Sequence, residues 1–271
     1  MPPDLTTPPI LATPLKPETP SRSKFRVRFR KAGDLRLVSH HDLMHVVERM
    51  FRRADLRLPV SQGFNPRPRM WFALSLALGV AGLNEVLELE LEDPLSTAEL
   101  HDRLTRQCPP GLEILSVRAI DVRTSALVRR ASYRLPPSAP INDLASRVET
   151  FLAKTDCWVE RTRPNPRRID IRPFVHELQA NGDTLTMILW ITSNGATRPE
   201  EVIAALGLKH LLDDGAVIER TDLELYDELP PGTPGPPMLR MAVEEINTND
   251  REAPVSARPT AIISNPMSFD S

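Results

Sequence analysis

The chain has 271 residues, 41% of them apolar, enough to build one large core or two of ordinary size. With 34 basic against 36 acidic residues the net charge is -2, so total charge points to no polyanion partner. Two cysteines, Cys108 and Cys157, lie far apart and outside any CxxC spacing, which supports neither a disulfide framework nor a cysteine metal site. Reduced, buried thiols are the expectation.

The first residues show no basic segment leading into an apolar run, and no stretch has transmembrane length, so a soluble cytoplasmic protein with no membrane partner is expected. Charge is distributed unevenly. From Arg22 to Arg69 there are 13 Lys/Arg and 4 Asp/Glu, and from Met70 to Gln107 2 Arg and 7 acids. A reversal of sign within one folded unit is read as a charged face.

Residues 1–22 are rich in proline among Thr and Ser and predict a disordered arm. Lys24–Lys31 reads as a strand, because Phe25, Val27 and Phe29 alternate with Arg26, Arg28 and Arg30. Ser39 opens a helix with Asp42 at the capping-box position, and Leu43, Val46, Val47, Met50, Phe51 and Ala54 recur at helical spacing. Leu56–Val60 is predicted as a short strand. Ser61–Arg69, SQGFNPRPR, is a proline-stiffened basic loop, and Met70–Val80 is predicted as a buried strand bending near Gly79. Glu85–Leu91 is a strand with an acidic outward face, Ser96 caps a second helix running to about Gln107, and Leu112–Ile120 is a closing strand.

The second half repeats this order. Ala131–Leu135 reads as a strand, Ile141–Ala153 as a helix and Cys157–Arg163 as a strand. Ile169–Gln179 and Thr184–Thr192 read as a hairpin around Asn181 and Gly182, Pro199 opens a helix to about Leu206, and Val217–Tyr226 closes the unit. From Pro230 the chain is again proline-rich, interrupted by MLRMAVEEI, which is read as a short helix or a docking segment. The predicted fold is therefore α+β, two tandem ferredoxin-like (βαββαβ) domains with disordered Pro-rich termini. Their boundaries are a disordered arm at 1–22, a first domain at 23–121, a second at 126–228 and a disordered tail at 229–271.

Helices cover only one face of a ferredoxin-like sheet, so Arg26, Arg28 and Arg30 are expected to line the open face, beside Gln62, Asn65, Arg67 and Arg69 of the basic loop. Guanidinium forks there suit phosphate oxygens. The competing expectation is that the second domain or the acidic strand Glu85–Glu90 covers and neutralises this face. With 5% aromatic residues, backbone recognition is favoured over a base-stacking platform. Arg163–Arg172 is a second basic stretch, read as a further phosphate patch that includes Arg172 or as a solvated loop.

His41 and His45 have a metal-chelating spacing but no third ligand beyond Glu48 and no HExxH pattern, so they read as a solvated face and no metal is expected. His40 is a candidate general base on a ribose hydroxyl, set against simple packing or capping. No P-loop, GxGxxG or GxSxG motif occurs, so no cofactor and no autonomous catalytic site are expected.

The stretches GDLRLVSHHDLM (33–44), SQGFNPRPRMWFAL (61–74), LGV (78–80), IDIRP (169–173) and ATRPEEVIAALG (196–207) resemble the radical SAM-linked protein family, a domain of unknown function. The similarity spans roughly Phe25 to Tyr226. That domain occurs behind cobalamin-binding radical SAM proteins or as a separate chain, often encoded near an E/G-type ribonuclease. Gly33, Asp34, Leu35, Ser39, His40, Asp42, Leu43 and Met44 match the first motif, and His41 stands where the family usually has Leu. Ser61, Gln62, Gly63, Phe64, Asn65, Pro66 and Pro68 match the second, Asp170, Arg172 and Pro173 the third, and Arg198, Pro199 and Glu200 the fourth.

The cluster motif CxxxCxxC needs more cysteines than the chain has, so the resemblance implies the partner and not the catalyst. The expected function is a non-enzymatic accessory that binds RNA for a radical SAM protein or an E/G-type ribonuclease. The alternatives are a metal-independent endoribonuclease resembling the tandem ferredoxin-like CRISPR-RNA processing enzymes, with His40 acting in cleavage, and a protein-docking module without nucleic acid.

Overall fold

A computed structural model of the chain describes residues 22–137, 140–162, 165–234 and 242–245. β1 (Ser23–Lys31) forms where aromatic and β-branched residues alternate with arginine. A 3-10 turn at Gly33–Leu37 leads to α1 (His40–Arg53), whose first turn is capped by the Ser39 hydroxyl accepting from the Asp42 N–H at 3.1 Å. The basic loop then leads into β2 (Met70–Phe72) and on to β3 (Ala81–Leu91). α2 (Thr97–Gln107), capped by Ser96, ends before Pro109, and β4 (Leu112–Ile120) follows.

β5 (Val128–Leu135) and α3 (Leu144–Leu152) open the second half. They are followed by β6 (Trp158–Arg161), β7 (Arg167–Asp170), a 3-10 turn at Arg172–Phe174, β8 (Val175–Asn181) and β9 (Thr184–Thr192). β10 (Gly195–Ala196), α4 (Pro199–Ala205), α5 (Lys209–Asp213) and β11 (Glu219–Leu225) complete it, with a 3-10 turn at Tyr226–Glu228 and β12 (Val243–Glu245) beyond.

The result is a mixed α+β fold built on a large, mostly antiparallel nine-stranded sheet in the order β10-β9-β5-β11-β3-β1-β4, with β2 added to β3 and β8 to β9. β3 carries β1 along one edge. Its other edge is shared by β2 at Leu87–Leu89 and by β11, in parallel, at Ala81–Gly82. β12, β7 and β6 form a separate three-stranded sheet. One core packs Phe25, Val27 and Phe29 against Leu43, Val47, Phe51, Leu100 and Leu104 of α1 and α2. The other is built on the second half but takes in Leu76, Val80 and Val86 from the first.

Several expected elements differ. Leu56–Val60 makes no strand, only an isolated bridge from Val60 to Pro68, because Pro59 and Pro68 lack the N–H a ladder needs. Met70–Val80 is a strand only to Phe72. Gly79, at φ 84°, donates its N–H to the Arg36 carbonyl at 3.0 Å and turns the chain, so Leu76 and Val80 plug the second core instead. The strand expected at Ile169–Gln179 is broken by Pro173, which sits in the turn between β7 and β8. The helix expected at Ile141–Ala153 starts at Leu144, after Asp143 takes a left-handed φ of 59°. Within MLRMAVEEI, Val243–Glu245 is a strand paired to β7, not a helix. The arm at 1–22, apart from Arg22, and most of the tail at 229–271 lie outside the described residues.

Candidate functional site

The opening strand does not present a row of free guanidinium groups. Arg26 is 2% exposed: its Nη2 lies 2.7 Å from Glu88 Oε1 and 2.9 Å from Asp227 Oδ2, and its Nη1 lies 2.9 Å from Glu228 Oε1. Burial works against its charge, but these hydrogen bonds outweigh it and hold the guanidinium above its ordinary pKa. Arg28 is half-buried between Asp222 and Glu228. The carboxylates arrive from β3, from β11 and from the 3-10 turn after it, which covers this part of the sheet. The expected open face is thereby neutralised, as the competing reading required.

Arg30 is half exposed and lies 3.8 Å from Glu113. The basic loop joins the sheet at the other end of β1, where Arg69 pairs with Glu90 at 3.2 Å and Glu90 stands opposite Lys24. Six residue steps of strand carry the chain from Lys24 to Arg30, about 20 Å at roughly 3.3 Å per residue, so Arg30, the exposed arginine of the strand, shares no surface with the loop arginines. Arg172 is also occupied. Its guanidinium donates to the carbonyls of Leu152 at 3.0 Å and Lys154 at 3.2 Å, closing the end of α3.

The loop itself is ordered by its backbone. Ser61 N donates to Arg67 O at 2.9 Å, Arg67 N donates back to Ser61 Oγ at 3.1 Å, and Arg69 N donates to Pro59 O at 2.9 Å. These bonds hold a closed loop with Gln62, Gly63, Phe64, Asn65, Pro66 and Arg67 at its exposed tip. Phe64 is fully exposed and Trp71 is 42% exposed, which the low aromatic content did not suggest. Lys24 and Arg69 lie against the Trp71 ring at 5.1 and 5.7 Å. Ser61, Gln62, Arg67, Arg69 and Trp71 wall a groove of about 530 Å³ whose far side is Met44 and Glu48 of α1. Arg52, exposed and four residues beyond Glu48, continues that helical stripe.

His40 is set apart from this groove. It packs edge-on against Phe72, with ring centroids 5.1 Å apart, and Phe72 points to the opposite side of β2 from Trp71. Burial, then Lys31 and Arg220, push its pKa down, and its Nδ1 is buried with no hydrogen-bond partner among the described residues. His41 and His45 meet edge to face with ring centroids 4.7 Å apart, and His45 reaches Glu48 at 3.4 Å. Among the described residues no group of three His, Cys, Asp or Glu has the arrangement of a metal site, and no helix is long and apolar enough to cross a membrane. Cys157 is buried and Cys108 half-buried, and burial raises both thiols.

A second concavity, of about 630 Å³, opens between the Leu74–Val80 turn and the β10–α4 corner. It brings the stretch ending at Leu74 next to the one starting at Ala196, two segments that the sequence reading kept in separate halves. Arg220, on β11, forms a buried fork with Glu85 of β3, Nε to Oε1 at 2.8 Å, and donates to the carbonyls of Ser75 at 3.0 Å and Leu74 at 3.1 Å. Only the tertiary arrangement reveals this pair.

No curated protein matches the chain. Solved structures similar to it include one titled "Crystal Structure of a Cbf5-Nop10-Gar1 Complex", with 12% identity and a TM-score of 0.35, covering 73% of this chain and 48% of that one. Thus the chain spans about half the length of that match. Another is "Crystal Structure of an Unknown Protein from Galdieria sulphuraria", with 16% identity and a TM-score of 0.23, covering 75% of this chain and 98% of that one. Both likenesses are too low to bear on function. A family model does match over residues 24–199, and the chain belongs to that family, described as "Uncharacterized protein conserved in bacteria (DUF2344)".

Proposed function

We propose that the chain is a non-catalytic accessory protein that holds single-stranded RNA on the Gln62–Trp71 loop for a protein partner. The observation that carries this reading is the pairing of two exposed aromatic rings, Phe64 and Trp71, with Arg67, which has no carboxylate within ion-pair distance among the described residues. Exposed rings stack on bases of any sequence, and a free guanidinium takes the phosphates between them. The contact surface is therefore the loop without the strand arginines, and stacking joins phosphate contact.

The finer architecture in this reading is two tandem ferredoxin-like units. Its support is the strand order of each half, β4-β1-β3-β2 and β11-β5-β9-β8, antiparallel throughout, with helices in the expected places. The resemblance to the radical SAM-linked family supports a radical SAM protein or an E/G-type ribonuclease as the partner class.

The test is fluorescence anisotropy with a short labelled oligouridylate. Affinity falls roughly tenfold to twentyfold between about 50 and about 200 mM salt if about three phosphates are contacted. Phe64→Ala removes about 1–3 kcal/mol of stacking, and Arg67→Ala lowers the salt slope. An affinity that ignores salt, or a Phe64→Ala variant that binds like the parent, rejects the reading.

A further inference from the structure

The 630 Å³ cleft beside β11 falls within the size range of small-molecule pockets, roughly 300–1,000 Å³, and has their composition. Leu74, Leu76, Val80 and Ile191 supply apolar wall. Three guanidinium groups also line it, and two of them are already matched. Arg161 forks onto Glu201 at 2.6 and 2.8 Å and donates to the Ala196 carbonyl at 2.9 Å, while Arg220 is held by Glu85. Arg198 is different: its backbone N–H donates to Glu201, but its side chain is exposed and has no carboxylate at ion-pair distance among the described residues.

The Tyr133 phenol is a second donor on the wall. Tyr133 is buried, lines the cleft and stands opposite Arg220 in the β5–β11 pairing, and a phenol carries one O–H that a carboxylate can accept. Glu200 adds one carboxylate to the rim and disfavours a doubly charged head group.

From this we infer that the cleft is a binding site for a small organic monocarboxylate, its charged head between Arg198 and the Tyr133 hydroxyl and its apolar body on the Leu74–Ile191 wall. The site is independent of the RNA reading, because none of the loop-tip residues Gln62–Arg67 lines it.

Isothermal titration of the full chain with benzoate, phenyl phosphate and the neutral isostere benzamide tests this. Benzoate binds saturably, phenyl phosphate binds more weakly, and benzamide is weaker by roughly tenfold or more, the loss expected for a charge-assisted hydrogen bond. Arg198→Gln, at an exposed side chain, weakens benzoate by a similar factor without lowering the melting temperature, and Tyr133→Phe weakens it several-fold. Arg67→Ala leaves it unchanged. Benzamide binding as tightly as benzoate, no benzoate binding at millimolar concentration, or full affinity in Arg198→Gln overturns the assignment.

Discussion

Arg26 and Arg67 carry the same side chain into opposite circumstances, one enclosed by three carboxylates and the other exposed at a loop tip with no carboxylate at ion-pair distance among the described residues. Strand alternation places Arg26 on the face away from Phe25 and Val27, but it says nothing about what covers that face. Asp227 and Glu228 lie 201 and 202 residues away along the chain, beyond the reach of any local pattern. Arg67 was legible because two prolines and a glycine confine it to a loop. Phe64 and Trp71 were missed because their exposure depends on how that loop closes.

The buried Arg220–Glu85 pair, with side chains 3% and 4% exposed, follows the same logic and leads to a stability prediction. Glu85→Gln strands a desolvated guanidinium and lowers unfolding free energy by about 3–5 kcal/mol in urea titrations. The double variant Glu85→Leu/Arg220→Met regains most of that loss.

His40 adds a pH dependence. Burial, followed by Lys31 and Arg220, holds its folded pKa below the ordinary 6.5, so the unfolded chain takes up a proton first. Stability from this group is complete above 6.5 and declines as pH falls towards the lowered folded value. Denaturation midpoints measured from about pH 7.5 down to about pH 5.5 should decrease, and His40→Phe should flatten part of that slope. His176, whose pKa is also lowered by burial, accounts for another part.

Elements with a complete local code were readable. β1, α1, α2 and β4 combine period, cap and terminator in one short window, and each lies close to its expected position. Ser39→Ala, which removes the hydroxyl capping α1, should cost about 1 kcal/mol, measured as a shift in chemical denaturation. The stretches that failed are those where an apolar run serves another element's core. Leu76 and Val80 look like strand residues because they are buried, yet they are buried in a loop.

The turn before β4 shows a similar non-local demand. Gly111 sits at φ 85°, and an added Cβ would stand 2.5 Å from the Ala32 carbonyl oxygen and 2.9 Å from Leu35 Cβ. Gly111→Ala should therefore destabilise the chain by more than about 1 kcal/mol, through both the backbone conformation and the clash with the turn after β1.

At the scale of the whole chain, the two halves share one sheet. β11, the last strand of the second half, is hydrogen-bonded to β3 of the first, and Leu76, Val80 and Val86 lie in the second half's core. Unfolding should therefore be a single transition. A Trp71→Phe variant reports only Trp158 and Trp190 in the second half, and a Trp158→Phe/Trp190→Phe variant reports only Trp71 in the first. Their fluorescence midpoints should coincide with each other and with far-UV circular dichroism. The repeated strand and helix order was readable from sequence. The seam between halves was not, because two residues of parallel pairing leave no periodic trace.

That seam also governs how far the two halves can move against each other. Because Arg220 clasps both Glu85 and the carbonyls of Leu74 and Ser75, the short stretch linking β2 to β3 is moored to a strand contributed by the opposite half. Swinging one half against the other would therefore first have to tear an ion pair out of the protein interior.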